Sequence, residues 1–292
     1  MNLPNFPSRP LLPHCWMTDI PVIEALTFAE LSLPGAHNAG VDNKAYYSVP
    51  AVKHWAACQS DSFYHQLNAG ARALDLRLEY ESAREGLGYF WFQHNGFRSS
   101  RTLEELIMKV IRFLQENPDE FILLDFHQLN AAHEPFPYEE FNRMLKTHLG
   151  SRIIPRANAA LTLGQLKKLS RTQRVLVAAE RNDGLDSTYF CRQIKHKWSG
   201  IGTTSVNQLH AHITQVMEHP PRTSEPWSLS ATSYSAVGGP VDIGQTLDAW
   251  FDPVASDWVL KSNIINMDFV ERSRLVDHCR HANITKANAI RR

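Results

Sequence analysis

The chain has 292 residues, of which 43% are apolar and 21% are charged, and its 30 Lys and Arg residues balance its 30 Asp and Glu residues. This composition is typical of a folded globular protein and excludes a disordered, collagen-like or coiled-coil chain. The balanced charge, without any run of Lys or Arg, also argues against nucleic acid as a partner, because phosphate binding of that kind needs a basic surface.

Sequence features that would assign a compartment are missing or neutral. Residues 1–9 contain prolines where a signal peptide would have an unbroken apolar stretch, so we predict no signal peptide. The longest apolar runs, 121–124 and 175–179, are far shorter than the roughly 20 residues of a membrane-spanning helix. The four cysteines are widely spaced and predict neither a disulfide framework nor a zinc site. The sequence therefore does not assign a compartment, because a secreted chain whose leader has been removed would have the same sequence.

Short apolar runs bounded by turn residues predict strands, and periodic apolar patterns between them predict helices. In chain order the predicted strands are 30–35, 71–80, 89–93, 120–126, 174–180, a less regular one at 193–198, 226–233 and 263–270. The predicted helices are 102–114, which Asn117-Pro118 ends, 138–149, 162–169, 207–217 and 271–281.

Strands that alternate with helices are typical of parallel βαβ units. Seven or eight such strands, with no G-x-G-x-x-G or P-loop after any of them, favour a closed barrel over an open doubly wound sheet. We therefore predict an α/β fold, a TIM-type (β/α)8 barrel, formed by residues 1–292 as a single domain. In such barrels the active site lies at the carboxyl ends of the strands.

Polar residues cluster at those predicted strand ends. Any one of them would more often cap a helix or satisfy backbone groups than act in catalysis, but their joint occurrence points to a site. In strand order they are His37 and Asn38, Asp75 and Arg77, His94 and Asn95, Asp125 and His127, and Asp268.

These residue types suit phosphodiester chemistry. Two histidines across a barrel mouth can serve as general base and general acid, because imidazole titrates near pH ~6.5. An arginine between them offers a planar, permanent cation that matches phosphoryl oxygens and neutralises charge in a displacement without a metal. Carboxylates beside the histidines would set their tautomer and orientation.

Four segments, in this order, resemble the X-domain of phosphatidylinositol-specific phospholipase C. They are 31–38 (LSLPGAHN), 66–77 (QLNAGARALDLR), 92–96 (FQHNG) and 121–126 (FILLDF). Residues 263–270 are similar to the last strand of the family, and the likeness is strongest over residues 25–130. The resemblance implies an irregular TIM barrel that cleaves phosphatidylinositol to diacylglycerol and a 1,2-cyclic inositol phosphate.

The resemblance also implies roles for the polar residues. His37 corresponds to the base that removes the proton of the inositol 2-hydroxyl, and His94 to the acid that protonates the diacylglycerol oxygen. Arg77 would stabilise the phosphorane-like charge. Asp268 would orient His37, and Asp75 would organise the phosphate site.

The second strand bears on the metal requirement. Calcium-using relatives have an acid-x-acid motif there, whereas metal-independent bacterial relatives have Arg at its second position, as this chain does at Arg77. A permanent cation would repel calcium, so we predict the bacterial type, with no metal and no other cofactor. Asn38 departs from that type, in which Asp more often follows the base, and it resembles the calcium-using branch.

Headgroup and membrane contacts are matched less closely. By position, His127 follows the fourth strand, Arg181 lies near the end of the fifth, and Trp198 follows the sixth, where it could stack on inositol or simply pack. The aromatic segment from Tyr46 to Trp55 resembles a rim that touches a membrane or micelle surface, although such aromatics also pack helices. The expected partners are therefore phosphatidylinositol, through its myo-inositol headgroup, and a lipid surface, for a peripheral monomer.

Two other functions remain open. A metal-dependent glycerophosphodiester phosphodiesterase can share the barrel, but it needs Glu-x-Asp where this chain has Asp75-Leu76-Arg77. A non-catalytic X-domain that binds inositol or phosphate would have lost a catalytic histidine, whereas His37 and His94 are both present.

Overall fold

Short apolar runs become the strands of the protein. The structure, a computed structural model, describes residues 12–82, 88–200 and 202–291; residues 1–9, from which we predict no signal peptide, lie outside these ranges. The strands are β1 (Leu33–Ala36), β2 (Ala73–Ser82), β3 (Gly88–His94), β4 (Phe97–Thr102), β5 (Ile122–Ala131), β6 (Val175–Ala179), β7 (Phe190–Arg192), β8 (Lys195–Lys197), β9 (Trp227–Ser230), β10 (Ser233–Ser235), β11 (Gly239–Val241) and β12 (Ile264–Met267).

Eight of these strands run parallel in one sheet, in the order β7-β6-β5-β2-β1-β12-β9-β8. β1 pairs with both β2 and β12, so the strands that come first and last in the sequence are neighbours in the sheet, as in a barrel. Among the described strands no pairing joins β7 to β8. The predicted α/β class is confirmed, with a wall that hydrogen bonds leave open at one place.

The third predicted strand, 89–93, does form a strand, but this strand is not one of the eight parallel strands that make up the barrel wall. It forms β3, which pairs antiparallel with β2 and with β4. The two residues between β3 and β4, Asn95 and Gly96, have φ of 50° and 82°. Asn-Gly with positive φ at both positions is the sequence of a tight hairpin, which turns the chain back where a barrel would have placed a helix.

The helices cover the outside of the sheet. They are α1 (Lys53–Ala56), α2 (Phe63–Asn68), α3 (Leu103–Glu116), α4 (Tyr138–His148), α5 (Leu163–Leu169), α6 (Val206–Glu218), α7 (Gly244–Phe251), α8 (Trp258–Lys261) and α9 (Leu275–Ile290). The five predicted helices are confirmed, with α9 beginning later because Val270–Arg272 forms a 3-10 turn. Thr102 caps α3 by accepting a hydrogen bond from the Glu105 backbone. None of the helices in the described ranges is long and apolar enough to cross a bilayer.

Inner side chains change from apolar to polar along the strands. Because side chains alternate in a strand, Ala73, Asp75 and Arg77 of β2 share one face. Leu123 and Asp125 do so in β5. Ala73 and Leu123 belong to an apolar cluster that also takes in residues from the amino-terminal segment. The polar members therefore lie further along, toward the carboxyl ends of the strands.

The amino-terminal segment is fastened to the barrel by a buried ion pair. Arg72 donates to Glu120 at 2.6 Å, and both side chains are completely buried. Glu120 also accepts from the backbone of Thr18 at 2.7 Å, while Arg72 donates to the carbonyl of His14 at 2.8 Å. Trp16 lies over the guanidinium, 5.7 Å from ring centre to Cζ. One pair of charges thus anchors residues 14–18.

Candidate active site

His37 is held at both ring nitrogens. Its Nδ1 lies 2.7 Å from Asp268 Oδ1, and its Nε2 lies 2.9 Å from Arg77 Nη2. Arginine can only donate, so Nε2 must be the acceptor and Nδ1 must carry the proton that it donates to Asp268. These contacts select the tautomer with a lone pair on Nε2, the form that a general base requires.

Arg77 is clamped by Asp75. Its Nη2 donates to Asp75 Oδ2 at 2.9 Å, and its Nε lies 3.3 Å from Oδ1, so both carboxylate oxygens are engaged. Burial alone would raise the pKa of Asp75, but Arg77 and the nearby histidines lower it well below its usual range. Asp75 raises the pKa of Arg77 despite burial. The pair is therefore fully charged, and the guanidinium is fixed beside the base.

Asn38 occupies a strained position next to His37. Its φ is 41°, a left-handed conformation that Asn tolerates better than most residues. The Asn38 backbone donates to Asp75 Oδ2 at 3.2 Å, and its Nδ2 donates to the carbonyl of Gln93 at 3.2 Å. Asn38 thus ties β1 to both β2 and β3, and in this structure it acts through its backbone and amide contacts on neighbouring site residues.

His94 reaches the site from the β3–β4 hairpin. Its ring centre lies 6.0 Å from that of His37, at nearly a right angle. Nδ1 is 3.0 Å from the carbonyl of Ala56, which fixes the proton on that nitrogen and leaves Nε2 for a ligand. Burial, and then the electrostatic effects of the neighbouring His37 and Arg77, lower the pKa of His94 to about 3. The imidazole is therefore neutral in the free protein.

These groups border an open cavity of about 520 Å³ at the carboxyl ends of the strands. His37, Arg77, His94 and Asp268 are all among its lining residues, so the four come together as predicted by position. The remaining lining includes residues that the sequence analysis did not single out, namely Gln128, Ser199, Thr204, Ser230, Thr232 and Tyr234. Hydroxyl and amide groups of this kind suit a polyhydroxylated ligand.

Of the three predicted headgroup residues, two reach the cavity. His127 and Trp198 line it, and Trp198 also lies 5.9 Å from the ring of His37 and 5.3 Å from the Arg77 guanidinium. The register between β2 and β5 shifts at this point, so that Gln128 rather than His127 opposes Arg77. Such a bulge re-aims the side chain beside it.

The third residue, Arg181, lies elsewhere. It is exposed beyond the end of β6 and lines two neighbouring depressions, one of which also touches His127 and Gln128. Arg181 is not among the residues that line the cavity with His37.

Two groups among the described residues have the geometry to hold a metal ion. One consists of His37, Cys58 and Asp268, and the other of Asp125, His127 and His196. In the first, both ring nitrogens of His37 are engaged, by Asp268 and by Arg77, and Cys58 is a buried thiol whose pKa burial raises well above its usual value. That group is thus occupied by its own contacts.

Solved structures identify the class of fold. The phosphatidylinositol-specific phospholipase C of Listeria monocytogenes superposes with a TM-score of 0.70 at 17% identity, covering 93% of this chain and 99% of that one. The Staphylococcus aureus phosphatidylinositol-specific phospholipase C does so with a TM-score of 0.66 at 13% identity, covering 91% and 97%. The chain therefore has the irregular TIM-type barrel of the bacterial phosphatidylinositol-specific phospholipases C.

Sequence relatives give the same family. PI-PLC X domain-containing protein 3 of Danio rerio is 25% identical over 166 residues, which is 48% of this chain and 49% of the relative. The 1-phosphatidylinositol phosphodiesterase of Listeria monocytogenes is 27% identical over 123 residues, 42% of this chain and 35% of the relative. The chain thus spans half or less of the length of these two relatives. No protein-family model matches it. The resemblance to the X-domain family is confirmed by these relatives and by the fold.

Proposed function

We propose that the protein is a phosphatidylinositol-specific phospholipase C that forms a 1,2-cyclic inositol phosphate and releases diacylglycerol. One observation carries the proposal: Asp268 and Arg77 hold His37 in the tautomer with its lone pair on Nε2, and the ring centre of His94 lies 6.0 Å from that of His37. A base, an acid and a fixed cation within one cavity are the groups that transfer of a phosphodiester to a neighbouring hydroxyl needs.

In the proposed reaction, Nε2 of His37 takes the proton of the inositol 2-hydroxyl as that oxygen attacks phosphorus. The bond from phosphorus to the diacylglycerol oxygen breaks, and His94 Nε2 gives its proton to the leaving oxygen. Arg77 faces the charge that develops on the phosphoryl oxygens. His94 is neutral in the free protein, so its Nε2 takes up a proton from solvent as the substrate binds, because the negative charge of the phosphodiester favours the imidazolium.

The same geometry supports a reaction without calcium. Arg77 fills the position beside the base with a permanent cation, and both oxygens of Asp75 are engaged by it. A divalent ion placed there would meet a guanidinium and would have to displace it from the carboxylate. We infer that Arg77 supplies the charge that calcium supplies in other members of the family.

Phosphorus NMR of the purified chain with phosphatidylinositol micelles tests the reaction and its metal requirement together. We expect the cyclic phosphodiester signal in excess EDTA, without stimulation by added calcium. Product only with calcium would overturn the role given to Arg77. A glycerophosphodiester cleaved only with a divalent ion, or binding of inositol phosphate without turnover, would instead favour the two alternative functions.

Replacing Arg77 with lysine is expected to lower turnover by about a hundredfold, the order of effect seen when one charge-stabilising donor is removed. Lysine keeps the charge, but its single nitrogen cannot contact His37 Nε2 and both oxygens of Asp75 at once. The steady-state rate on micellar phosphatidylinositol measures the effect. Arg112→Lys, an exchange on the outer face of α3, is the matched control. Full activity of Arg77→Lys would show that Arg77 does not stabilise the phosphoryl charge in the way proposed.

We propose that the chain works as a monomer, with residues 1–292 forming one catalytic domain, and that it acts at a lipid surface. Support for the surface comes from two strongly exposed apolar side chains: Tyr46 is 83% exposed and Val237 is 84% exposed. Tyr46 pairs with Ser100 of β4, and the carbonyl of Val237 accepts from the Trp55 indole. Tyr47, which we predicted as part of this rim, is buried, and its hydroxyl donates to the backbone carbonyl of Asp42.

The double substitution Tyr46→Ser with Val237→Ser is expected to weaken binding to phosphatidylinositol-containing vesicles by about tenfold, because two apolar side chains no longer enter the lipid. Turnover of a soluble inositol phosphodiester should stay unchanged. Sedimentation with vesicles measures the first effect. Val254→Ser alters an equally exposed valine between α7 and α8 and should leave both readouts alone. Unchanged vesicle binding in the double variant would remove these residues from the surface contact.

A further inference from the structure

Beside the proposed catalytic groups lies a second cluster of titratable side chains, Asp125, His127 and His196. Asp125 and His127 come from β5, and His196 comes from β8 across the barrel. One ligand atom from each lies within 4.8 Å of the others. The proposed reaction uses none of these groups as acid, base or nucleophile, and no metal-ligand spacing links them in the sequence.

The internal contacts of this cluster leave several polar atoms unsatisfied. His196 Nε2 lies 2.6 Å from Asp125 Oδ2, and the two side chains are 2% and 4% exposed. Asp125 Oδ1, His127 Nδ1 and His196 Nδ1 are buried, and none has a hydrogen-bond partner in the described part of the chain. Unpaired buried polar atoms are costly, so three in one cluster call for a ligand or ion.

The charge of the cluster also points to a cation. Asp75 is neutralised by its two contacts with Arg77, whereas the ion pairs of the described residues give Asp125 only His196. Two imidazoles and one carboxylate are also the donor set that divalent transition metals take in sites with open coordination positions.

We propose that Asp125, His127 and His196 bind one divalent transition-metal ion of the Zn²⁺ class at the side of the cavity. Bond lengths of about 2.0–2.1 Å set tetrahedral ligand atoms about 3.3 Å apart, so Asp125 and His196 need to separate by less than an ångström. His127 lines the cavity, so the remaining coordination positions face oxygen groups of a bound ligand.

This ion site is separate from the proposed phosphate site. The centre of the Trp198 ring lies 4.6 Å from that of His196, on which it stacks, and 5.9 Å from that of His37, so Trp198 adjoins both groups. The inference does not depend on the proposed reaction, because Arg77 and not this ion faces the phosphate. A chain that binds no metal could therefore still cleave phosphatidylinositol, and a chain without this activity could still bind the metal.

The test is titration of the metal-free full chain with Co²⁺ and Zn²⁺, followed by absorption spectroscopy and by metal analysis after dialysis. We expect one ion per chain and a Co²⁺ spectrum without a thiolate charge-transfer band. Asp125→Asn and His196→Asn should each weaken binding at least about a hundredfold. His127→Asn alters the least buried ligand and keeps the test valid if a buried variant does not fold.

Two variants serve as controls. Cys58→Ser removes the thiol of the other cluster, and His65→Asn removes an imidazole whose side chain is 63% exposed, and both should bind as the parent does. A thiolate band that disappears in Cys58→Ser would move the ion to His37, Cys58 and Asp268 and overturn the proposal. Absence of binding, or full binding in all three ligand variants, would overturn it as well.

Discussion

Replacing His37 with alanine is expected to lower the turnover of phosphatidylinositol by about a thousandfold, within the range that general base catalysis contributes. The reason is geometric: within the described ranges, no other imidazole has its Nδ1 on Asp268 and a lone pair facing Arg77. His94→Ala should cause a loss of similar size on the natural substrate. Circular dichroism and the midpoint of thermal unfolding should stay close to those of the parent chain.

A substrate with a good leaving group separates the two histidines. The 4-nitrophenyl diester of inositol phosphate releases an anion that needs no proton, so His94→Ala should regain most of its activity while His37→Ala stays inactive. His65→Ala changes an exposed histidine of α2 and should behave as the parent. If both variants recovered equally on this substrate, the assignment of base and acid would be wrong.

Loss of charge at Glu120 is expected to give the largest change in stability, lowering the free energy of unfolding by about 3–5 kcal/mol in Glu120→Gln. Arg72 would remain completely buried without its counter-ion, and the contacts of Glu120 with Thr18 would be weakened. Urea denaturation at neutral pH measures the difference through its midpoint and slope.

The matched control is Glu139→Gln, which removes the same charge from an exposed position in the first turn of α4. That exchange should change the unfolding free energy by no more than about 0.5 kcal/mol. A loss below about 1 kcal/mol in Glu120→Gln would show that residues 14–18 are held mainly by the packing of Trp16 and not by the ion pair.

Local patterns predicted much of this fold. The spacing of apolar residues and the Thr102 cap define α3, and apolar runs define most wall strands. Polar residues at the ends of the predicted strands also predicted that His37, Arg77, His94 and Asp268 meet at one cavity. These predictions succeed because each rests on neighbours in sequence or on the common edge where parallel strands end.

Predictions that depended on long-range pairing were less complete. The Asn95-Gly96 turn was a readable hairpin signal, yet 89–93 was interpreted as a wall strand because its apolar content fits either role. β7 was missed, since three residues carry too little periodicity. The contact of Asp125 on β5 with His196 on β8 joins two residues that are 71 positions apart in the sequence, and no local pattern encodes it.

The open place in the wall has a consequence for solubility. Where β7 and β8 do not pair, each presents backbone donors and acceptors that another chain could use to extend the sheet. Both strands are only three residues long, and Arg192, Lys195 and Lys197 are exposed along them. Short, positively charged strand edges repel the same edges of other copies of the chain. The barrel wall is therefore protected against edge-to-edge aggregation although β7 and β8 are not joined by hydrogen bonds.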